Sequence, residues 1–230
     1  MIDLFCLASG PSLTEEDCKL VKESGARVLA VNNSWELVPW CDYLYAGDIK
    51  WWEGYANKVP STIQKWTSAK KAAAKFGLNY HPATGAFNSG MRALIWAMEN
   101  GYKRIFLLGY DCSLKNGVHW HGSHDAKKGL NNPDKGRVVA WQEHFMKVFI
   151  KARKLGVEII NCSRYTELTC FKYSELEFVL GLKIVVKEEE EKLTPKTGVI
   201  SKDVKFEEPG LEPQFYRDAK KVINPLKKKK

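Results

Sequence analysis

Three histidines fall within six residues, at His119, His121 and His124, in the segment His-Trp-His-Gly-Ser-His. Imidazole titrates near neutral pH, so one of them could take a proton from a hydroxyl or phosphate while another orients the substrate. The same H-x-H-x-x-H spacing could bind zinc, but a zinc hydrolase needs more ligands and only His144 follows, inside a helical pattern. A polar surface loop remains the third interpretation.

A run of small residues, Ser9-Gly10-Pro11-Ser12, joins an apolar segment to an acidic one. Gly10 would let the backbone approach a ligand and Pro11 would fix the turn. Ser12 and Glu15 have the spacing of a capping box, which predicts a helix N-terminus whose backbone N–H groups converge on a phosphate. From spacing alone, an ordinary turn between strand and helix explains these residues equally well.

Further polar residues follow other apolar segments: Asn32 and Asn33, Asp48, Asn88-Ser89-Gly90, and Asp111. Ligands of open α/β sheets bind beyond the carboxyl ends of the strands, so we expect these side chains to line one crevice. Amides could recognise a base or ribose, and carboxylates could hold a ribose hydroxyl or Mg²⁺. Asn88-Ser89-Gly90 also begins a helical pattern and is a second candidate anion site. Taken singly, each group is equally typical of a turn.

The elements that would position these residues alternate between strand and helix patterns. Strands are predicted at Ile2–Ala8, Arg27–Val31, Tyr43–Ala46, Arg104–Leu108 and Val157–Ile160, and helices at Leu13–Ser24, Ser89–Asn100 and Arg137–Lys154. This alternation predicts a Rossmann-like α/β domain over residues 1–182, with a mostly parallel sheet and helices on both faces. Residues 183–230, rich in Lys, Glu and Pro, are predicted to form a charged appendage that is largely extended or disordered.

Composition limits the class of protein. The six cysteines are scattered without a C-x-x-C pair, which excludes a zinc ribbon or a dithiol redox site. No window approaches the ~18 apolar residues of a membrane span, so a cytoplasmic location is expected. The net charge of +9 suits anionic small molecules, but no dense basic stripe indicates a dedicated nucleic-acid partner. The oligomeric state cannot be read from these features.

The motifs together resemble a known family. In order, they are Ala8-Ser9-Gly10-Pro11-Ser12-Leu13, Val31-Asn32-Asn33, Asn88-Ser89-Gly90 and Gly101 to Asp111. Over residues 1–175 this set resembles the bacterial sialyltransferases of glycosyltransferase family 42. It is also similar to their relatives, the motility accessory factors and the archaeal 6-hydroxymethylpterin diphosphokinases. Small phage and prophage proteins share His-Trp-His-Gly and Asn161-Cys162-Ser163-Arg164.

The resemblance implies a glycosyltransferase that moves a sugar from a CMP-sugar-like donor to the hydroxyl of a small molecule or glycan, without a metal cofactor. The nucleotide would contact Gly10 to Ser12, Asn32 and Ser89-Gly90. A histidine after Asp111 would be the general base, with His124 and His121 as the first candidates. The short loop before the long helix departs from the long lid of the sialyltransferases, so the donor sugar is not implied.

Two alternatives stay open. The diphosphokinase relatives imply ATP as donor, with Mg²⁺ held by Asp48 and Asp111. A phage-encoded protein could instead keep a nucleotide-binding fold as a non-catalytic assembly or interaction factor in the host cytoplasm. In that case an aromatic cluster would form a docking surface, rather than belong to the core or to the wall of the acceptor site: Trp51, Trp52, Tyr55 and Trp66.

Overall fold

A parallel β-sheet of eight strands forms the centre of the computed structural model, which describes residues 3–83, 85, 87–123 and 132–182. The strands are β1 (Asp3–Leu7), β2 (Arg27–Val31), β3 (Tyr43–Tyr45), β4 (Gln64–Thr67), β5 (Asn79–Tyr80), β6 (Arg104–Leu108), β7 (Glu158–Asn161) and β8 (Lys172–Tyr173). Each strand of this sheet pairs with its neighbours in parallel.

The strand order is β5-β4-β3-β2-β1-β6-β7-β8. The chain builds outward from β1 to β5, then returns to place β6 on the other side of β1. This reversal between β1 and β6 is the topological switch point of a doubly wound sheet, where a crevice opens beyond the carboxyl ends of the strands.

Helices cover both faces of the sheet. They are α1 (Glu15–Ser24), α2 (Ile49–Tyr55), α3 (Lys70–Phe76), α4 (Ser89–Glu99), α5 (Lys135–Lys154) and α6 (Leu176–Val179), with a 3-10 helix at Asn32–Glu36. One hydrophobic cluster includes residues of α4 and α5, and a second includes residues of α1, α2 and α3 on the opposite face. The predicted Rossmann-like α/β fold with helices on both faces is confirmed.

Helix α4 is more deeply buried than its sequence pattern indicates. The pattern predicts one apolar face, but every residue of α4 except Arg92 and Glu99 is buried. The helix packs on β1, β2 and β3, and α5 covers it from outside. Small residues such as Gly90, Ala93 and Ala97 allow this close packing.

The predicted elements agree with the structure most closely in the central sheet. β2 and β6 have the predicted bounds, and the bounds of the other three predicted strands differ by at most one residue. Sequence patterns gave no signal for β4, β5 and β8, because these outer strands are short, and both residues of β5 and of β8 are exposed. In the described part of the chain, no helix is long and apolar enough to cross a bilayer. The predicted appendage at 183–230 lies outside the described residues.

Candidate functional site

Asp111 joins the loop after β6 to the loop after β1. Its Oδ2 accepts a hydrogen bond of 2.9 Å from the backbone N–H of Ser12, and its Oδ1 accepts another from the Ser12 hydroxyl. The residue is only 3% exposed, and burial raises the pKa of its carboxyl. Asp111 was predicted to bind the donor or a metal, but both of its oxygens are used to order the neighbouring loop.

The expectation that backbone N–H groups around Gly10 converge on a phosphate is wrong. The N–H groups of Gly10, Ser12 and Leu13 all donate to acceptors within the protein. Helix α1 is capped by Thr14, whose hydroxyl accepts from the N–H of Asp17 at 3.1 Å, and not by Ser12. Three acidic residues occupy the first turn of α1, so its N-terminus disfavours an anion.

The glycines of these two loops are required by the loops themselves. A Cβ at Gly10 would collide with the carboxyl of Asp111 and the carbonyl oxygen of Gly109. Gly109 has a φ of +68°, and a Cβ there would collide with the carbonyl oxygen of Ala8. The sequence analysis explained the missing side chain of Gly10 by close approach of a ligand. In the structure, the missing side chain instead permits close contact between the ends of β1 and β6.

An inner cavity of about 130 Å³ opens beside these loops at the switch point. Its lining includes the apolar or aromatic side chains of Val31, Tyr110 and Phe145. The predicted site residues that line it are Ser9, Gly10, Asn32, Asn88, Ser89, Gly90, Asp111 and His119. Residues that follow β1, β2 and β6 therefore meet at one edge of the sheet, as predicted.

An outer cavity of about 630 Å³ adjoins the inner one. The two share Asn32, Asn88, Ser89, His119, Pro133 and Trp141. The outer cavity adds Asp48 and four basic or titratable side chains, from Lys50, Arg92, Arg137 and His144. Because six lining residues are common to both, we treat the two cavities as chambers of one cleft.

Backbone strain is concentrated at the inner cavity. Asn32 (φ +51°) and Cys112 (φ +48°) are the two non-glycine residues of the described chain with a left-handed backbone, and both line this cavity. Asparagine tolerates this conformation better than most residues. Strain of this kind persists at positions that the surrounding structure holds in place and is common at binding sites.

The start of α4 forms the boundary between the two cavities. Asn88 caps the helix as its Oδ1 accepts from the N–H of Met91 at 2.9 Å, and the Ser89 hydroxyl accepts from the N–H of Gly47 at 3.0 Å. A Cβ at Gly90 would lie 3.2 Å from the ring of Tyr110, so a small residue is favoured there. The predicted second anion site is thus a helix start that opens on the cleft, and its dipole favours negative charge.

His119 is the member of the histidine segment that lines both cavities. Its Nδ1 lies 3.0 Å from the Ser9 hydroxyl, and its ring stacks on that of His121 with centroids 5.0 Å apart. His121 lines neither cavity, and burial lowers its pKa. The loop is held near β1 by a hydrogen bond from the N–H of Trp120 to the carbonyl oxygen of Ser9. His124 lies outside the described residues.

Three other predicted site residues, Pro11, Ser12 and Asn33, line neither cavity. Asn33 is buried behind the cleft, where its Oδ1 accepts from the indole of Trp51 at 2.8 Å. Trp51 and Trp52 are buried in the core, and Trp51 also lines the outer cavity.

Sequence reasoning missed the cations Lys50, Arg92 and Arg137. Lys50 comes two residues after Asp48, and Arg92 lies in the first turn of α4. Arg137 lies in the first turn of α5. In the sequence, the one indication that these three cations belong to the site is that they lie close to a predicted motif or to the start of a helix.

The two predicted metal-binding carboxylates line different chambers. Asp111 lines the inner cavity and Asp48 is exposed in the outer one. Within the described ranges, no three His, Cys, Asp or Glu side chains are grouped closely enough to hold a metal ion. Both oxygens of Asp111 accept hydrogen bonds from Ser12, so Asp48 is the predicted carboxylate that remains as a candidate metal ligand.

Comparison with known proteins adds nothing to what the structure shows of the fold. No family model and no curated protein matches this chain. Among solved structures, a UDP-glucose 4-epimerase from Brucella ovis in complex with NAD is similar, at 14% identity and a TM-score of 0.29. The match covers 70% of this chain and 51% of the epimerase, so the chain spans about half the length of that enzyme. The Rossmann-like assignment stands on the parallel sheet, its strand order and the helices on both faces.

Proposed function

We propose that this chain is a nucleotide-dependent transferase that binds its donor in the cleft between β1 and β6. The observation that carries the proposal is the pair of adjoining cavities with Asn32, Ser89 and His119 on their shared boundary. A ligand that extends from one cavity into the other would have its central atoms beside His119. This is the arrangement that a group transfer between two bound substrates requires.

The inner cavity suits the base of the donor nucleotide. Lys and Arg are absent from its described lining, and Trp141 and Phe145 offer aromatic surface to a base. The Asn32 side chain provides both an amide donor and an amide acceptor at the end of β2. The donor phosphate would then lie at the start of α4, where the helix dipole and Arg92 both favour negative charge.

His119 suits the role of general base. When its Nδ1 proton is donated to Ser9, the lone pair stays on Nε2, which can accept the proton of an acceptor hydroxyl. The acceptor oxygen would form a bond to the transferred sugar carbon as the bond from that carbon to the donor phosphate oxygen breaks. The nucleotide leaves with the electron pair of that bond. His121 would support the ring of His119 by stacking, and His124 stays a candidate of the same loop.

We favour glycosyl transfer from a CMP-sugar-like donor because the ordered motifs resemble glycosyltransferase family 42. A second candidate is transfer of diphosphate from ATP. The three cations of the outer cavity favour it, since a triphosphate needs more positive charge than a single phosphate. Asp48 is the carboxylate that could hold Mg²⁺ there.

The test is release of nucleotide during turnover. The full chain is incubated with CMP-, UDP- and GDP-sugars, and with ATP and Mg²⁺, and products are measured by mass spectrometry. We expect one donor to be consumed, and His119→Gln to slow its consumption about 100-fold, the usual contribution of a general base. Donor affinity should change little.

His121→Gln and His124→Gln serve as comparisons within the same loop. Full turnover by His119→Gln, with loss in one of these variants, would assign the base elsewhere. Consumption of none of the donors would contradict the transferase proposal and favour the non-catalytic alternative.

A further inference from the structure

We propose that the second substrate is an anion, and that Lys50 and Arg137 in the outer cavity bind its phosphate or carboxylate group. This inference rests on the proposed function, because it assumes that the donor occupies the inner cavity and the start of α4. It adds the chemical class of the acceptor, which the motifs leave open.

The first argument is the charge difference between the two cavities. Lys50, Arg92 and Arg137 line the outer cavity against the single carboxylate of Asp48. No Lys or Arg is found in the described lining of the inner cavity. A concave surface with charges of one sign raises the local concentration of ligands of the opposite sign.

The second argument is that these cations are poorly neutralised by the protein. Lys50 forms no ion pair with a described residue, and Arg137 meets Asp134 only at 3.9 Å across an exposed turn. Arg92 donates to the Ser68 hydroxyl at 2.5 Å and to the carbonyl oxygen of Gly85 at 3.1 Å, neither of which is charged. The positive charge of the cavity is therefore available to a ligand.

The third argument is the position of each cation along the cleft. Arg92 belongs to the first turn of α4, next to the residues that both cavities share, and we assign it to the donor phosphate. Lys50 on α2 and Arg137 on α5 line the outer cavity alone. The donor, as we place it, does not contact Lys50 or Arg137. An anionic acceptor would use them and bring its hydroxyl toward His119.

The outer cavity also has the surface that an organic anion needs. Trp141 and Phe87 provide apolar walls, and the ring of His144 lies edge-on to Phe87 with centroids 5.8 Å apart. The His144 Nδ1 is buried and forms no hydrogen bond within the described chain. The outer cavity therefore combines cations with aromatic surface, as an organic anion requires.

The experiment is calorimetric titration of the full chain with inorganic phosphate, without and with saturating CMP or whichever mononucleotide binds best. We expect phosphate to bind the nucleotide-saturated chain. Lys50→Gln and Arg137→Gln should each weaken phosphate about tenfold through loss of a charge-assisted contact. Neither should weaken the mononucleotide more than about twofold, since neither contacts it. The matched controls Lys71→Gln and Arg153→Gln, exposed and outside both cavities, should change neither affinity.

Titration with glucose, glucose 6-phosphate and glucuronate then separates the two anion classes. Binding of glucose 6-phosphate or glucuronate, but not of glucose, supports an anionic second substrate and identifies its charged group. Equal binding of glucose overturns the inference.

Two further outcomes separate this inference from the proposed function. Displacement of phosphate by the mononucleotide overturns the inference, because Lys50 and Arg137 would then belong to the donor. Phosphate binding that depends on both cations, in a chain that binds no nucleotide, supports the anion site and contradicts the proposed function.

Discussion

Ser12 donates two hydrogen bonds to Asp111, one from its backbone N–H and one from its hydroxyl. The two residues are 99 positions apart in sequence, and the contact holds together the two loops that form the switch point. The Ser12 backbone N–H was expected to bind a phosphate, but it donates to Asp111 instead. Under the proposed function, we therefore expect the donor phosphate at the start of α4 instead.

Asp111→Asn should destabilise the fold. Asparagine offers one acceptor oxygen, which the Ser12 backbone N–H can keep, but its amide nitrogen only donates. The Ser12 hydroxyl must then accept instead of donating, and both hydrogen bonds lose the charge of the carboxylate, at a cost of about 1–3 kcal/mol. Urea unfolding of Asp111→Asn, Ser12→Ala and the double variant measures the contact. The double variant should cost less than the sum of the two single variants, and strict additivity would contradict a direct interaction.

Gly10→Ala should destabilise the fold more than the addition of one methyl group usually does. The added Cβ meets the carboxyl of Asp111 and the backbone oxygen of Gly109, so the two loops must separate, at a cost of about 1–3 kcal/mol or more. Gly54→Ala is the matched control, because a Cβ there meets nothing within 4 Å. Because Gly54 lies in helix α2, alanine at this position should stabilise the protein by up to about 1 kcal/mol. Equal effects in urea unfolding would show that the close contact at Gly10 is not required.

His121 should make stability depend on pH. Burial lowers its pKa below the ordinary value of 6.5, so the folded state binds a proton less readily than the unfolded state. Its contribution to stability is therefore present above pH 6.5 and is lost as the pH falls through the lowered pKa. Guanidinium unfolding between pH 5 and 8 should show a smaller loss on acidification in His121→Gln than in the parent chain. An identical pH profile would contradict this.

Arg164→Met should leave a charge buried without a partner. Arg164 contacts Asp17 at 2.6 Å and Glu177 at 2.6 Å, and the side chain of Asp17 is fully buried. Because Arg164 is itself partly exposed, we expect a cost near the lower end of the ~3–5 kcal/mol of a broken buried pair.

Asp17→Asn in the Arg164→Met background should recover part of that stability in urea unfolding. The exposed pair Lys115–Glu167 is the control, and Lys115→Met should cost less than about 1 kcal/mol. A cost for Arg164→Met no larger than that of the control would mean that the buried carboxylate does not need Arg164.

The central sheet was predictable because its strands are apolar and buried on both faces. β2 and β6 read as unbroken apolar runs, and polar residues after them mark the edge of the sheet. β5 and β8 have two exposed residues each, too few for any periodic signal. The crevice could therefore be located from sequence, but the width of the sheet could not.

Part of the lining of the candidate site was predictable from the sequence, but the hydrogen bonds among its residues were not. Spacing placed Ser12 and Asp111 at the same crevice, but it could not show that they would satisfy each other. Likewise Asn32 and Asn33 are equivalent in sequence, yet only Asn32 lines the cleft while Asn33 binds the indole of Trp51. Lys50 and Arg137 come from helices far apart in sequence, so only the fold brings them to one cavity.

The most direct test of the central claim is nucleotide binding by the parent chain and by Asn32→Gly. Glycine keeps the left-handed backbone of residue 32 and removes only the amide that lines both cavities. A thermal-shift panel covers CMP-, UDP- and GDP-linked donors, CTP and ATP, with and without Mg²⁺. A ligand at 100 times its Kd adds about 2.7 kcal/mol of stability, which is readily detected. We predict that at least one nucleotide stabilises the parent chain and that Asn32→Gly folds normally but loses most of that shift. A panel in which no nucleotide stabilises the parent, or one in which Asn32→Gly responds equally, would contradict the assignment of this cleft as a nucleotide site.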